Sequence, residues 1–413
     1  MPDKLGKNYY KYTDYLLIFL PIVIILGSPT INFFLITSSV LFLYLSIKYK
    51  FWIWLKIIWV RLFIVFWLYL ILLSMFSIDF QNSFRASFFL IRFLLFALCI
   101  KYLAFNHFSY KKVFNVWFFI LIFVCLDVWI QYFFGKDLFG YEDHGHRFAG
   151  LFGDELVAGA FLWKISAPII GLIFYEKVFK NSKKYNYIIL TFLIIPLTIL
   201  ITGERASFLM FLFSALLSIL FLSYLIKKFK FLISTFLIVF LLSFSAISMT
   251  DSVKNRYADF LDILKNFNNS SYGILFTSGI EVWKKNKLTG VGLKNFSIVC
   301  DMQVSAIDKP HQPCSTHPHN LYIQIISETG LIGIVLFLSF FVAFFVNLLK
   351  TFYRSKKKSD QSFLFISCTC FLFSFLWPLT TSGSFYSSWN GFFYWVIIGI
   401  ILNLSRKSKL NLI

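Results

Sequence analysis

Runs such as LFIVFWLYLILL at 62–73 and FLIRFLLFALCI at 89–100 recur along this chain and leave it very few folds. With 59% hydrophobic residues, 56 Phe and a mean hydropathy of +0.76 over 413 residues, a water-soluble domain is excluded. In lipid every backbone N–H and C=O must be paired within the protein, which leaves helices or closed barrels. Apolar runs near 20 residues fit helices, whereas a barrel needs alternating strands of about 10. The expectation is an all-α polytopic membrane bundle of about twelve transmembrane helices. They are placed near 15–29, 31–47, 59–77, 84–104, 113–134, 156–175, 185–201, 205–226, 231–249, 330–349, 361–379 and 389–405, in one integral-membrane domain over 1–413.

The formal charge of +20 could suggest nucleic acid, so the position of the charges decides. Counting connections alternately from an inner N-terminus, 25 of the 39 Lys and Arg fall on one side, with only Asp3, Asp14, Glu176 and Asp360 of the 19 acids. That asymmetry is the positive-inside signal. It predicts cytoplasmic termini and gives no support to nucleic-acid binding. The first apolar run lacks a small-residue cleavage site, so no cleaved leader is expected.

Several polar residues interrupt the apolar pattern. Trp52, Trp54, Trp59 and Lys56 give the 48–61 region the composition of an interfacial segment along the inner leaflet. Arg85 and Arg92 share nearly one helix face, and Arg85 suits either a functional role or snorkelling to the outer headgroups. Asp127 and Lys164, in successive spans, read as a buried structural pair. Between them lies a Gly-rich outer loop with His144, His146 and Arg147. The histidines sit near Glu142 and Asp143, but the spacing fits a solvated loop better than a metal site. Phe148 and Phe152 would hold Arg147 at headgroup depth by dipping into the membrane surface.

The turn TGER at 202–205 is too short to leave the interface, which pins Arg205 at the outer face. Arginine at a helix N-terminus is suited to phosphate oxygens, and equally to anchoring at the interface. The 250–318 segment, with an amphipathic NRYADFLDILKNF and a Thr289-Gly290 turn, reads as a helical outer loop covering the bundle before the tenth span. Cys300 and Cys314 share this loop and raise the prospect of a disulfide, whereas Cys99, Cys125, Cys368 and Cys370 lie in apolar spans. No Cys/His spacing reads as a zinc site. The polar, aromatic TTSGSFYSSWN turn at 380–390 reads as an interfacial belt.

The stretch THPHNLYIQIISETGLIGIV at 316–335 joins this loop to an apolar run. Pro318 suits the first position of a helix, so His319 and Asn320 are expected in its exposed first turn. Gly330 and Gly333 lie on nearly one face and would admit a neighbouring helix or a lipid. His317 and His311 lie nearby and could replace His319 as a base.

The spacing His319-Asn320, nine residues, Gly330, two residues, Gly333 resembles the signature of the O-antigen ligase and O-antigen polymerase superfamily of bacterial inner membranes. Chain length, span number, the turn arginine and the WKKNKLTGVGLKNF approach at 283–296 strengthen the resemblance. It implies glycan transfer from an undecaprenyl diphosphate carrier at the periplasmic face, in ligases to lipid A core. His319 would take the proton of the acceptor hydroxyl. Arg205 and Arg147, with Arg85 as a third, would neutralise the diphosphate, and no metal or cofactor is called for. A polymerase joining two lipid-linked units would use the same groups. A flippase or transporter would instead show repeat symmetry or broken helices near the midplane.

Overall fold

The computed structural model describes residues 7–145, 147–182, 191–227, 251–304, 314–354 and 359–410, with 237 and 241 besides. Among these residues every regular element is helical, apart from an isolated antiparallel bridge between Lys136 and Glu142. Among the described residues seven helices are long and apolar enough to cross a membrane, and Ile58–Ser74 and Asp360–Phe375 are shorter apolar helices. The chain is thus a multi-pass membrane protein. The span expected at 231–249, the first part of the one at 185–201, and His146 and His311 lie outside the described residues.

The N-terminal half contains α1 (Lys7–Ile25), α2 (Ser28–Lys48), α3 (Ile58–Ser74), α4 (Phe80–Phe89), α5 (Ile91–Leu103) and α6 (Tyr110–Phe134). The span expected at 84–104 corresponds to the apolar stretch Phe80–Leu103, in which α4 and α5 meet at Leu90. Just past this junction Arg92 donates to Ser388 Oγ at 3.2 Å and lies over the Phe93 ring. Trp54 and Trp59 face the protein rather than the inner leaflet. Trp54 packs on Phe42 and Trp59 on Phe344, while Trp52 is exposed.

After α6 come α7 (Ala158–Ile173), α8 (Thr191–Ile201) and α9 (Arg205–Ile226), then three helices of the covering segment. These are α10 (Asp251–Lys265), α11 (Ser271–Lys285) and α12 (Phe296–Gln303). The chain finishes with α13 (Leu321–Arg354), α14 (Asp360–Phe375) and α15 (Ser388–Leu410). α5 packs between α2 and α15, and α14 between α7, α9 and α15.

α3 and α13 run antiparallel along a ladder of rings: Trp59 on Phe344, Phe63 on Phe340 and Phe66 on Phe337, at 5.4 to 6.0 Å. Residues three and four apart share a helix face, so the repeat of aromatic positions on α3 meets a matching repeat on α13. Lipid supplies no hydrophobic drive between helices, so this close packing carries the association, at about 0.5–1.5 kcal/mol for each ring pair beyond area burial.

Two of the acids on the basic side are buried for structural reasons. Asp14 accepts the backbone N–H groups of Phe105, His107 and Phe108, and Glu176 pairs with Lys111. A carboxylate is matched to such a turn because it can accept several N–H donors at once.

Candidate active site

The helix that follows the histidine begins one turn later than Pro318 predicts. Asn320 Oδ1 accepts from the backbone N of Tyr322 and Ile323 at 3.0 and 3.1 Å, so Asn320 is the N-cap and α13 starts at Leu321. Its Nδ2 donates to the carbonyls of Pro378 and Thr380. One side chain thus starts the helix and ties it to the 376–387 loop. His319 precedes the cap with φ of 54°, a left-handed conformation outside the helix. Its carbonyl accepts from Ser382 N at 2.8 Å, which fixes this turn.

Two rings flank the His319 imidazole. His317 lies 4.1 Å away between ring centroids and Tyr272, from the first turn of α11, at 6.0 Å. Burial lowers the His319 pKa, so the ring is neutral at physiological pH. Burial, with His319 adding to it, pushes His317 down to about 4. A group that acidic in its protonated form is a weak proton acceptor at neutral pH. His317 Nδ1 is engaged with Thr316 Oγ1 at 3.0 Å.

Gly330 does not lie on a smooth packing face. Its φ of 66° and ψ of −168° break α13, and the segment from Lys287 to Gly292 fills the break. Leu331 N and Ile332 N donate to the carbonyls of Lys287 and Leu288. Val291 N and Gly292 N donate back to the carbonyls of Ser327 and Glu328, and Tyr69 Oη donates to that of Thr329. A Cβ at Gly330 would run into the Leu288 carbonyl. Gly333 is helical, but the break folds the Thr329 side chain against it, so a Cβ there would meet Thr329 and the Tyr69 ring. The two glycines form one device for docking the covering segment into a membrane helix. Glu328, in the same turn, is fully buried, with its carboxylate accepting from Lys294 N and Gln324 Nε2. Gln324 continues to Ser384 Oγ and Phe385 N. The only sequence signal for this network is one acid beside an apolar run.

The covering segment is held elsewhere too. Cys300 and Cys314 form a disulfide, and Asn295 Oδ1 accepts from Asp79 N at 2.7 Å. Over α9, the Arg205 guanidinium lies 5.5 Å from the Phe260 ring of α10.

Arg205 is the first residue of α9, as its short turn predicts. The preceding Glu204 organises this end of the bundle. Its carboxylate oxygens accept from Gly159 N at 2.6 Å and Ala160 N at 3.0 Å, capping α7, and from Ser207 Oγ. Burial raises its pKa, while those bonds and the charge of Arg147 act in the opposite sense. The charge of Arg147 is therefore felt at the carboxylate of the residue before Arg205. Arg85 is exposed on α4, a helix packed against α3, and does not share this turn.

The loop that carries Arg147 is strapped to α6. Asp127 Oδ1 accepts from Leu138 N, Gln131 Oε1 from Gly150 N, and Gly150 has a left-handed φ of 52° directly against Asp127 and Val128. Phe148 packs on Tyr132 and Phe152 on Phe161, so these rings anchor the loop to protein rather than lipid. Asp127 and Lys164 do not form the expected pair. Asp127 Oδ1 is directed to the loop, and Lys164 Nζ donates to Asn390 Oδ1 at 2.9 Å. His144 lies 3.5 Å from Asp154.

The N-termini of α7, α9, α13 and α15 thus gather at one end, linked by contacts from Arg205 through Glu204, α7, Lys164 and Asn390 to the 380–390 turn and His319. A proton acceptor and a cationic cluster at one membrane face suit transfer to a hydroxyl with departure of an anionic group.

No curated protein matches the chain significantly. Residues 190–338 match the family model described as O-antigen ligase, a stretch that includes Arg205, His319, Asn320, Gly330 and Gly333. This domain, which holds both the histidine and the arginine turn, supports the O-antigen ligase superfamily.

Proposed function

We propose that the protein is an O-antigen-ligase-type glycosyltransferase that moves a glycan from undecaprenyl diphosphate to lipid A core. The reaction takes place at the periplasmic face of the bacterial inner membrane, in a bundle of about twelve spans with cytoplasmic termini. The observation that carries this reading is the run of contacts joining the Arg205 turn to His319 at one end of the bundle. The Cys300–Cys314 disulfide suits an oxidising compartment.

Neutral His319 accepts the proton of the acceptor hydroxyl as its oxygen attacks the anomeric carbon of the donor sugar. The bond from that carbon to the diphosphate oxygen breaks, and its electron pair leaves with the lipid diphosphate. Attack opposite the leaving group inverts the anomeric centre. The diphosphate needs charge neutralisation rather than a proton. Arg205 and Arg147 supply it, with Arg85 left at the approach from α4. The covering segment over 250–318 acts as the lid, and His319 then returns its proton to solvent.

The test is transfer by the purified protein given a lipid-linked glycan with either lipid A core or a second lipid-linked unit. Extension of the core supports the ligase, and extension of the second unit alone makes the protein a polymerase. His319→Ala is expected to abolish transfer while the protein stays folded in the membrane; normal transfer by this variant would end the mechanism.

A further inference from the structure

Lys164 is an ionisable group of this region that the proposed reaction does not yet use. It lies on α7 with 8% of its surface exposed. An ionisable side chain in a membrane helix is costly to bury and is by default a candidate for a functional role. Here it is not neutralised by direct pairing. Its hydrogen bond goes to the neutral Asn390 Oδ1, and the rings of Trp389, Phe393 and Trp163 lie 4.8, 4.9 and 5.9 Å from Nζ. Glu204 acts on it from a distance, its own oxygens being bound to Gly159, Ala160 and Ser207. An ammonium has three donors.

The direction of the side chain matters as much as its charge. Lys164 is the seventh residue of α7, yet Asn390 is the third of α15, so the flexible stem carries Nζ toward the end where the helices begin. Asn390 is aimed by Ser387 Oγ, which accepts from both its backbone N and Nδ2, and Gly383 packs directly on its amide. The residue before Gly383 is Ser382, whose N–H holds the His319 carbonyl. Two consecutive loop residues therefore join the lysine's partner to the histidine, and Glu204 joins the lysine's helix to the Arg205 turn. These contacts connect Lys164 both to the turn of His319 and to that of Arg205.

We infer that Lys164, aimed by Asn390 and connected to the turns of His319 and Arg205, is a binding residue for the donor's lipid diphosphate. The inference rests on the glycosyltransferase reading for the identity of the ligand. Lysine serves as a compact point charge, complementing the planar forks of the arginines. If the residue only fastened α7 to α15, an uncharged hydrogen-bond donor would do as well.

That difference sets the experiment. Undecaprenyl diphosphate and undecaprenyl monophosphate are titrated into the full-length protein in nanodiscs, wild type against Lys164→Gln and Lys164→Arg. Glutamine keeps a donor for Asn390 without charge. Lys164→Gln is expected to weaken diphosphate binding about tenfold or more, the loss of a charge-assisted hydrogen bond, and monophosphate binding less. Lys164→Arg is expected to restore much of it. Unchanged diphosphate binding by Lys164→Gln overturns the inference, as does a fall in melting temperature with affinity intact. If glutamine prevents insertion, Lys164→Met, which keeps the stem, gives the same comparison. Transfer by His319→Ala, measured alongside, separates the two claims. Weak binding by Lys164→Gln with active His319→Ala removes the mechanism and keeps the lysine, and the reverse pattern removes the lysine and keeps the mechanism.

Discussion

Gly330→Ala is the substitution whose consequence follows most directly from the geometry. At φ 66° and ψ −168° the residue occupies a region that is essentially confined to glycine, where a side chain costs about 1–3 kcal/mol in strain. The added Cβ also meets the Leu288 carbonyl and the Thr289 amide, so the Lys287–Gly292 segment must move. The backbone bonds at stake are those of Leu331 N, Ile332 N, Val291 N and Gly292 N. If half of them are lost, at roughly 0.5–1.5 kcal/mol each, the total is about 2–6 kcal/mol. Much of it would appear as local opening of the docked segment rather than global unfolding. Hydrogen exchange on peptides covering 287–292 and 327–333 reads this directly. The expectation is faster exchange in both by a factor of about 30 or more, with the α3–α13 contact region unchanged. Equal protection in Gly330→Ala and wild type would refute the account of the break. Gly333→Ala separates the roles further, because its Cβ meets the Thr329 side chain and not the docked backbone. It should disturb 327–333 more than 287–292.

Three further outcomes are expected. The His319 pKa is lowered by burial, so the neutral base persists below the pH of about 6.5 at which a free histidine gains its proton, and the acid limb of kcat/KM should fall below that value; a midpoint at or above it would contradict the assignment. For stability the sign is the same. Between the lowered folded values and about 6.5 the unfolded chain binds more protons, so stability is whole above that window and declines as pH falls toward about 4, the His317 value, in melting curves taken across the range. Asn320→Asp keeps the oxygen that caps α13 but removes the donor to Pro378 and Thr380, so the helix should survive while the 376–387 loop loosens; Asn320→Ala loses both, with about 1 kcal/mol or more of cap energy added, and comparison of the two melting temperatures checks the order.

The class of the fold was legible in the sequence because helix formation in a membrane is a local matter: the apolar stretches close their own hydrogen bonds. Arg205 was legible for a similar reason, since a four-residue turn cannot carry it anywhere but a helix end. The Cys300–Cys314 pairing was readable from the presence of two cysteines in one outer segment. The start of α13 was misread by one turn. Pro318 is permitted at a helix start, but Asn320 can cap, and a cap with partners on both sides prevails.

What the tertiary structure alone decided concerns partners far apart in sequence. Glycine permits a positive φ without requiring it, so the break at Gly330 depends on a backbone some 40 residues earlier arriving to take the freed groups. Lys164 faces Asn390 rather than Asp127 because α7 packs where α15 begins, while Asp127 Oδ1 is directed to the loop that follows its own helix. Arg85 and Arg147 looked alike as outer arginines, and only the strap from Gln131 to Gly150 and the carboxylate of Glu204 placed one of them at the Arg205 turn. Apolar periodicity specifies that a segment crosses the membrane; which of its few polar side chains meet is set by helix packing, and in lipid a buried polar group must find such a partner or bear the cost of desolvation.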